Sequence, residues 1–236
     1  VAGFVVTTDN GLVTDEETLQ QVFSLYRAAG YLYERQPPEQ PLEVLAARLR
    51  EARARAGGPA GADADGGGIY VNGGSPTITD HVLTNNTALF GAAVYMEGGT
   101  PIFANNTIYG NSAGSCGGGL YGAGCVFTMV NCILWNNSSF DAFPNHEIML
   151  RSNAHLTIRY CRIQDGDGQI FAWMGGDFSY NSTDSGKDPK FVNAAAGDFH
   201  LLAGSSAIDA ADGSAAPPTD FDGAPRVDDP LTSNTG

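Results

Sequence analysis

A four-residue segment recurs along this chain at a nearly constant interval. Gly68-Ile69-Tyr70-Val71 returns as Ala93-Val94-Tyr95-Met96 and again as Gly119-Leu120-Tyr121-Gly122, at steps of 25 (94 − 69) and 26 (120 − 94) residues. A second block follows each copy. Ile78-Thr79-Asp80-His81-Val82-Leu83-Thr84-Asn85-Asn86 reappears as Phe103-Ala104-Asn105-Asn106-Thr107-Ile108-Tyr109-Gly110-Asn111. It returns as Met129-Val130-Asn131-Cys132-Ile133-Leu134-Trp135-Asn136-Asn137, and more loosely as Ile158-Arg159-Tyr160-Cys161-Arg162-Ile163-Gln164. Each unit is too small to bury an apolar face alone, so such a chain must stack its units into a solenoid.

The unit also selects the kind of solenoid. Its apolar runs are short, alternate with polar residues and are broken by Gly, Asn, Ser and Pro, which is a strand-and-turn pattern. Strands stacked coil upon coil at about 4.8 Å make parallel sheets. The repeat wording GGGIYV, PTIT, LTNNTA, GGTPIF and IYGNSA resembles the right-handed parallel β-helix family of secreted bacterial proteins, of the pectate-lyase-like superfold. The resemblance implies an all-β solenoid, a right-handed parallel β-helix, and the repeat copies along the chain count to about seven coils.

The rest of the chain divides around the repeat. Residues 1–9 read as a first partial coil. Residues 10–65 interrupt it with an inserted α-helical hairpin: Thr14 and Glu17 form a capping box, and Leu19, Val22, Phe23 and Tyr26 share one helical face. Pro41 opens a second helix in which Leu42, Leu45 and Leu49 align. Residues 66–186 are the β-helix coils, and residues 187–236 a closing coil and wrapped tail. The last segment resembles the closing segment of secreted bacterial β-helix proteins through Asp188-Pro189-Lys190-Phe191-Val192, Gly197-Asp198-Phe199-His200-Leu201, Ala207-Ile208-Asp209-Ala210 and Asp220-Phe221-Asp222-Gly223.

Period-2 alternation sends Ile69, Val71, Val94 and Met96 inward and stacks Tyr70, Tyr95 and Tyr121 outward in one column. That column is a candidate glycan platform, unless the hairpin packs Phe23, Tyr26 and Leu45 over it. Asn86, Asn111 and Asn137 fall in one slot and form a structural ladder, since stacked amides hydrogen-bond along the axis. His81, Asn106, Cys132 and Cys161 share another slot, in which Cys132 and Cys161 read as an internal stack of small apolar residues and His81 as a core or turn histidine. Asp209, Asp212, Asp220 and Asp222 offer oxygen ligands for Ca²⁺, and Asx-turn capping accounts for the same residues. No C-x₂-C zinc spacing occurs.

With 26 acidic against 12 basic residues and a net charge of −14, the chain lacks the basic face that nucleic acid or an anionic membrane requires. No apolar run approaches a membrane span, so membrane insertion is not expected. The chain opens on Val1 without a visible signal peptide, which reads as a processed chain. Its acidity suits a secreted or cell-surface protein. The expected function is a non-catalytic extracellular structural or adhesive module, self-associating through its solenoid ends or binding a polysaccharide. The alternative is a polysaccharide lyase or glycoside hydrolase, the commonest enzymes of the fold. A lyase needs a base and a cation at one site, and Arg159 and Arg162 find no partner Lys in the neighbouring repeat. Asp165 and Asp167, the paired carboxylates a hydrolase would need, lie in a Gly-rich turn. No catalytic residue is assigned.

Overall fold

The computed structural model describes residues 66–140, 147–181 and 186–226, with the backbone at 7–8 and 11–12. Most of the expected helical hairpin, residues 10–65, lies outside the described residues. Strands β1 (Thr7–Thr8) and β2 (Gly11–Leu12) pair antiparallel.

The described strands from Ile69 to Asn181 wind as parallel coils. The first coil is β3 (Ile69–Asn72), β4 (Thr77–Thr79), β5 (Val82–Thr84) and β6 (Thr87–Ala88). The second is β7 (Val94–Glu97), β8 (Ile102–Ala104), β9 (Thr107–Tyr109) and β10 (Ser112–Ala113). The third is β11 (Leu120–Ala123), β12 (Val126–Val130), β13 (Ile133–Trp135) and β14 (Ser138–Ser139). The fourth is β15 (Ile148–Arg151), β16 (His155–Arg159) and β17 (Arg162–Ile163), closed by a 3₁₀ turn over Gly166–Gln169. Two further strands, β18 (Ile170–Ala172) and β19 (Asp177–Asn181), begin a fifth and stop there. Corresponding strands stack into four parallel sheets, ordered β18-β15-β11-β7-β3, β19-β16-β12-β8-β4, β17-β13-β9-β5 and β14-β10-β6.

The solenoid therefore has about four coils, not the seven expected from the sequence. The excess came from two places. Gln169–Trp173 and Phe178–Asn181 each carry the apolar pattern of a coil's opening strand, but they are two sides of one coil around a tight corner at Met174 and Gly175 (φ 50° and 83°). The closing segment adds no coil either. Its β20 (Phe191–Asn193) and β21 (Asp198–Leu201) form an antiparallel pair. That pair lies beside the third sheet, where Tyr109 meets Phe191 and Phe199 edge-on at 6.0 and 5.4 Å.

Corners explain why the repeat is so regular. Between the second and third sheets the backbone turns through a left-handed residue in every coil: Asp80, Asn105, Asn131 and Tyr160, with φ from 52° to 58°. Between the third and fourth sheets the same role falls to Asn85, Gly110, Asn136 and Asp165. Gly, Asn and Asp hold this conformation at least cost, and they supply all but Tyr160. The Asn-Asn doublets thus divide their labour: the first Asn makes the corner and the second points inward. Fixed corners keep the strands in register, so Ile78, Phe103, Met129 and Ile158 pair in sequence, as do Leu83, Ile108, Leu134 and Ile163. These two ladders run through the buried core. Burying each such side chain contributes roughly 1.5–3 kcal/mol.

Candidate functional site

The polar interior is organised around the Asn column. Asn111 Oδ1 accepts from Asn86 N at 2.9 Å and Asn86 Nδ2 at 2.7 Å. Asn137 Oδ1 accepts from Asn111 N at 2.9 Å and Asn111 Nδ2 at 2.7 Å. The second amide proton of each lower Asn reaches back to a strand carbonyl, Asn111 to Leu83 O and Asn137 to Ile108 O, both at 2.9 Å. All three side chains are buried.

In the fourth coil the slot belongs to Gly166, three residues after Ile163 as Asn137 is three after Leu134. Glu147 takes over from the opposite side of the corner, at the position of Gly68, Ala93 and Gly119. Its Oε2 accepts from Asn137 Nδ2 at 2.5 Å and its Oε1 from Asn137 N at 3.2 Å. At 1% exposure, burial pushes the Glu147 carboxyl up to about 7 despite the Asn137 hydrogen bonds, and the Asp165 charge adds to the rise. Sequence reasoning missed Glu147. The available signal was the coupled exchange of Asn for Gly at 166 and of Gly for Glu at 147.

A second column carries His81, Asn106, Cys132 and Cys161. His81 N donates to Asn106 Oδ1 at 2.9 Å, and Cys132 N donates to Cys161 Sγ at 3.3 Å. Sulfur here replaces the amide oxygen. Both thiols are buried; desolvation and the Cys132 thiol hold Cys161 well above the usual range.

Outside, the tyrosines do stack. Tyr70 and Tyr95 lie 5.4 Å apart at 13°, and Tyr95 and Tyr121 lie 5.0 Å apart at 4°. Tyr70 is 42% exposed, whereas Tyr121 is buried, with Phe90 against it at 5.3 Å. The rings turn their faces to one another, so the column offers solvent mainly ring edges. The second sheet has a different outer surface. Thr77, Ile102, Thr128, Thr157 and Ser179 align in one rank. Beside it Val126, His155 and Asp177 align in another, with His155 Nδ1 2.5 Å from Asp177 Oδ1.

The tail residues serve turns. Asp212 Oδ1 accepts from Ser214 N and Oγ, and Asp220 Oδ1 accepts from Asp222 N and Ala224 N. Asp222 Oδ2 and Asp198 Oδ1 face the two ring nitrogens of His200, at 2.8 and 2.6 Å. Asp209 sits in a left-handed turn at φ 53°. Among the described residues no three His, Cys, Asp or Glu side chains come together to hold a metal ion. The tail is tied to the coils by polar staples. Asn131 exchanges two hydrogen bonds with the Asp212 backbone, at 2.8 and 3.0 Å, and Asn105 Nδ2 donates to Ala215 O at 3.0 Å. Arg162, a cation considered above for lyase chemistry, is buried beneath the tail and donates to Lys187 O and Ser206 O. Arg159 lies exposed on the second sheet, Asp165 precedes the closing 3₁₀ turn and Asp167 lies within it. Among the described residues no helix is long and apolar enough to cross a membrane.

A family model described as a right handed beta helix region matches residues 62–211, well over half of the chain. No curated protein and no solved structure matches it significantly.

Proposed function

Because the chain belongs to the right-handed β-helix family, whose fold alone does not decide between scaffold, binder and enzyme, we propose a function from its own surfaces. The protein is a non-catalytic structural or adhesive module, secreted or displayed at the cell surface, that stacks end to end with copies of itself. The observation that carries this reading is the burial gradient along the core. In the middle coils the inward residues Met96, Phe103, Leu120, Met129, Leu150, Leu156 and Ile158 are fully buried. On the last two strands the inward Ala172, Phe178 and Tyr180 are only partly buried. There β18 and β19 end their sheets, and a terminal strand is a template for another chain.

The hydroxyl-rich second sheet, with Ile102 and Val126 exposed among Thr and Ser, is the surface for a neutral polysaccharide. Tyr70 and Tyr95 extend the glycan reading to the first sheet. The enzymatic alternative has less beneath it, since Arg162 is committed to tail carbonyls and Glu147 is enclosed.

Electron microscopy and light scattering across protein concentration, with and without Ca²⁺, test the proposal. End-to-end stacks or a mass that grows with concentration are expected. A constant monomer mass at high concentration overturns self-association, and failure to co-sediment with insoluble polysaccharides overturns the adhesive part.

A further inference from the structure

The buried Asn column ends on an acid where the repeat leads one to expect an amide. An amide rung is insensitive to pH; a carboxyl rung is not. Glu147 is enclosed on three sides. From β11, Gly119 N and Leu120 N donate to its backbone carbonyl at 2.9 and 3.0 Å, and a Cβ added at Gly119 would sit 3.5 Å from Oε2. From the approach to β14, Asn137 supplies the two N–H groups that meet the carboxyl oxygens. From the turn that closes the fourth coil, Asp165 is the charged group acting on it, and it carries the same sign. Among the described residues, burial and Asp165 therefore oppose ionisation, and Asn137 favours it.

We propose that Glu147 is a proton-controlled clasp between the third and fourth coils, closed when its carboxyl is neutral and loosened when it loses its proton to solvent. In the neutral state the carboxyl completes the column and keeps Asn137 in line with Asn111. In the ionised state an enclosed negative charge faces Asp165 across the corner. Its relief comes from admitting water or swinging the carboxylate outward, and either releases the Asn137 amide. The relevant pH range is physiological, because burial raises this carboxyl to about 7 while an open corner returns it toward 4.5. Between those values the closed state holds a proton that the open state has lost. Opening should then grow about tenfold per pH unit, about 300-fold in all, and level off above pH 7.

Hydrogen exchange followed by mass spectrometry from about pH 5 to about pH 8.5, corrected for intrinsic exchange, reads this directly. Peptides covering Leu120, Asn137 and Ser138 are expected to show the tenfold-per-unit rise and its plateau, while those covering β8 and β9 stay flat. Glu147→Gln keeps a neutral acceptor for Asn137 and should abolish the rise. Asp165→Asn, at an exposed turn, removes the opposing charge and should move the plateau to lower pH. The proposal is overturned by a flat corner in the wild-type protein, by an unchanged rise in Glu147→Gln, or, should that variant not fold, by an unmoved plateau in Asp165→Asn.

Discussion

Asn111 is the middle rung of the buried column, and truncating it separates the column from the corners beside it. In Asn111→Ala, Asn86 N and Asn86 Nδ2 lose their shared acceptor, formerly at 2.9 and 2.7 Å. Leu83 O loses a donor at 2.9 Å. Asn137 Oδ1 keeps the Asn111 N–H, because alanine retains it. While Leu83 O keeps the Tyr109 N–H of the β5–β9 ladder, two buried donors are orphaned. Each costs about 1–3 kcal/mol where no water replaces the partner. The deleted amide leaves room for a water, so the lower half of the range applies and the expected loss for the two donors is about 2–4 kcal/mol. That is a large part of the roughly 5–15 kcal/mol that holds a domain together. The control is Asn136→Ala, at an exposed corner with φ 58°, where the left-handed backbone alone makes alanine worse by about 1 kcal/mol. Urea unfolding followed by Trp and Tyr fluorescence compares the two midpoints. If Asn111→Ala proves no more damaging than Asn136→Ala, the column is a passenger and the corners alone hold the coils in register.

Three further outcomes follow from the same geometry. Gly118→Ala should give no folded protein by circular dichroism, because its Cβ would stand 2.5 Å from Ser138 N and O, which are backbone atoms of the next coil and cannot yield. Of the four cysteines, Cys116 alone should react quickly with a thiol reagent in the native state. Cys132 and Cys161 are enclosed, and burial raises the Cys125 thiol to about 11; a stoichiometry of four should appear only on unfolding. His200 is raised by its hydrogen bond to Asp198 and then by that to Asp222, so it holds the turn at Asp220 to β21 below its unfolded value of 6.5 and releases it as pH climbs through the raised value. Limited proteolysis near residues 220–224 should accelerate over that window in the wild-type protein, and His200→Gln should remove the pH dependence.

How far the sequence could be read depended on the corners. Where each coil turns through Asn, Gly or Asp at the same step, the period survives in the sequence. The registers Ile78–Phe103–Met129–Ile158 and Leu83–Ile108–Leu134–Ile163 are then legible by alignment of the chain with itself. Past Gly166 the corners change in kind. Met174-Gly175 replaces the paired glycines Gly73-Gly74 and Gly98-Gly99, and the strands read as extra coils. The tail was legible as a distinct motif, but not as an antiparallel pair. That depends on aromatic contacts such as Phe191 with Phe199 at 5.1 Å, between residues close in sequence and without a partner repeat. Exposure was illegible for a similar reason. Alternation put Tyr121 outside with Tyr70 and Tyr95, yet Phe90, from the loop before β7, covers it.

The exchange at the fourth coil shows what the repeat conserves physically. At this corner two positions face one interior space, and only one side chain fits. In the first three coils the space goes to Asn86, Asn111 and Asn137, and the facing position is Gly68, Ala93 or Gly119. The crowding is tight: a Cβ at Gly68 would lie 3.1 Å from Asn86 Nδ2. In the fourth coil the slot is emptied to Gly166 and the facing position filled by Glu147. Volume and an acceptor for Asn137 are both preserved, but the rung has crossed to the other strand and become titratable. A reading that tracks residue identity sees the pattern fail here, whereas one that tracks the occupied space and the unfilled hydrogen bond sees it continue. Hence Glu147→Ala should resemble Asn111→Ala in stability at low pH, although the two residues occupy different positions in the repeat.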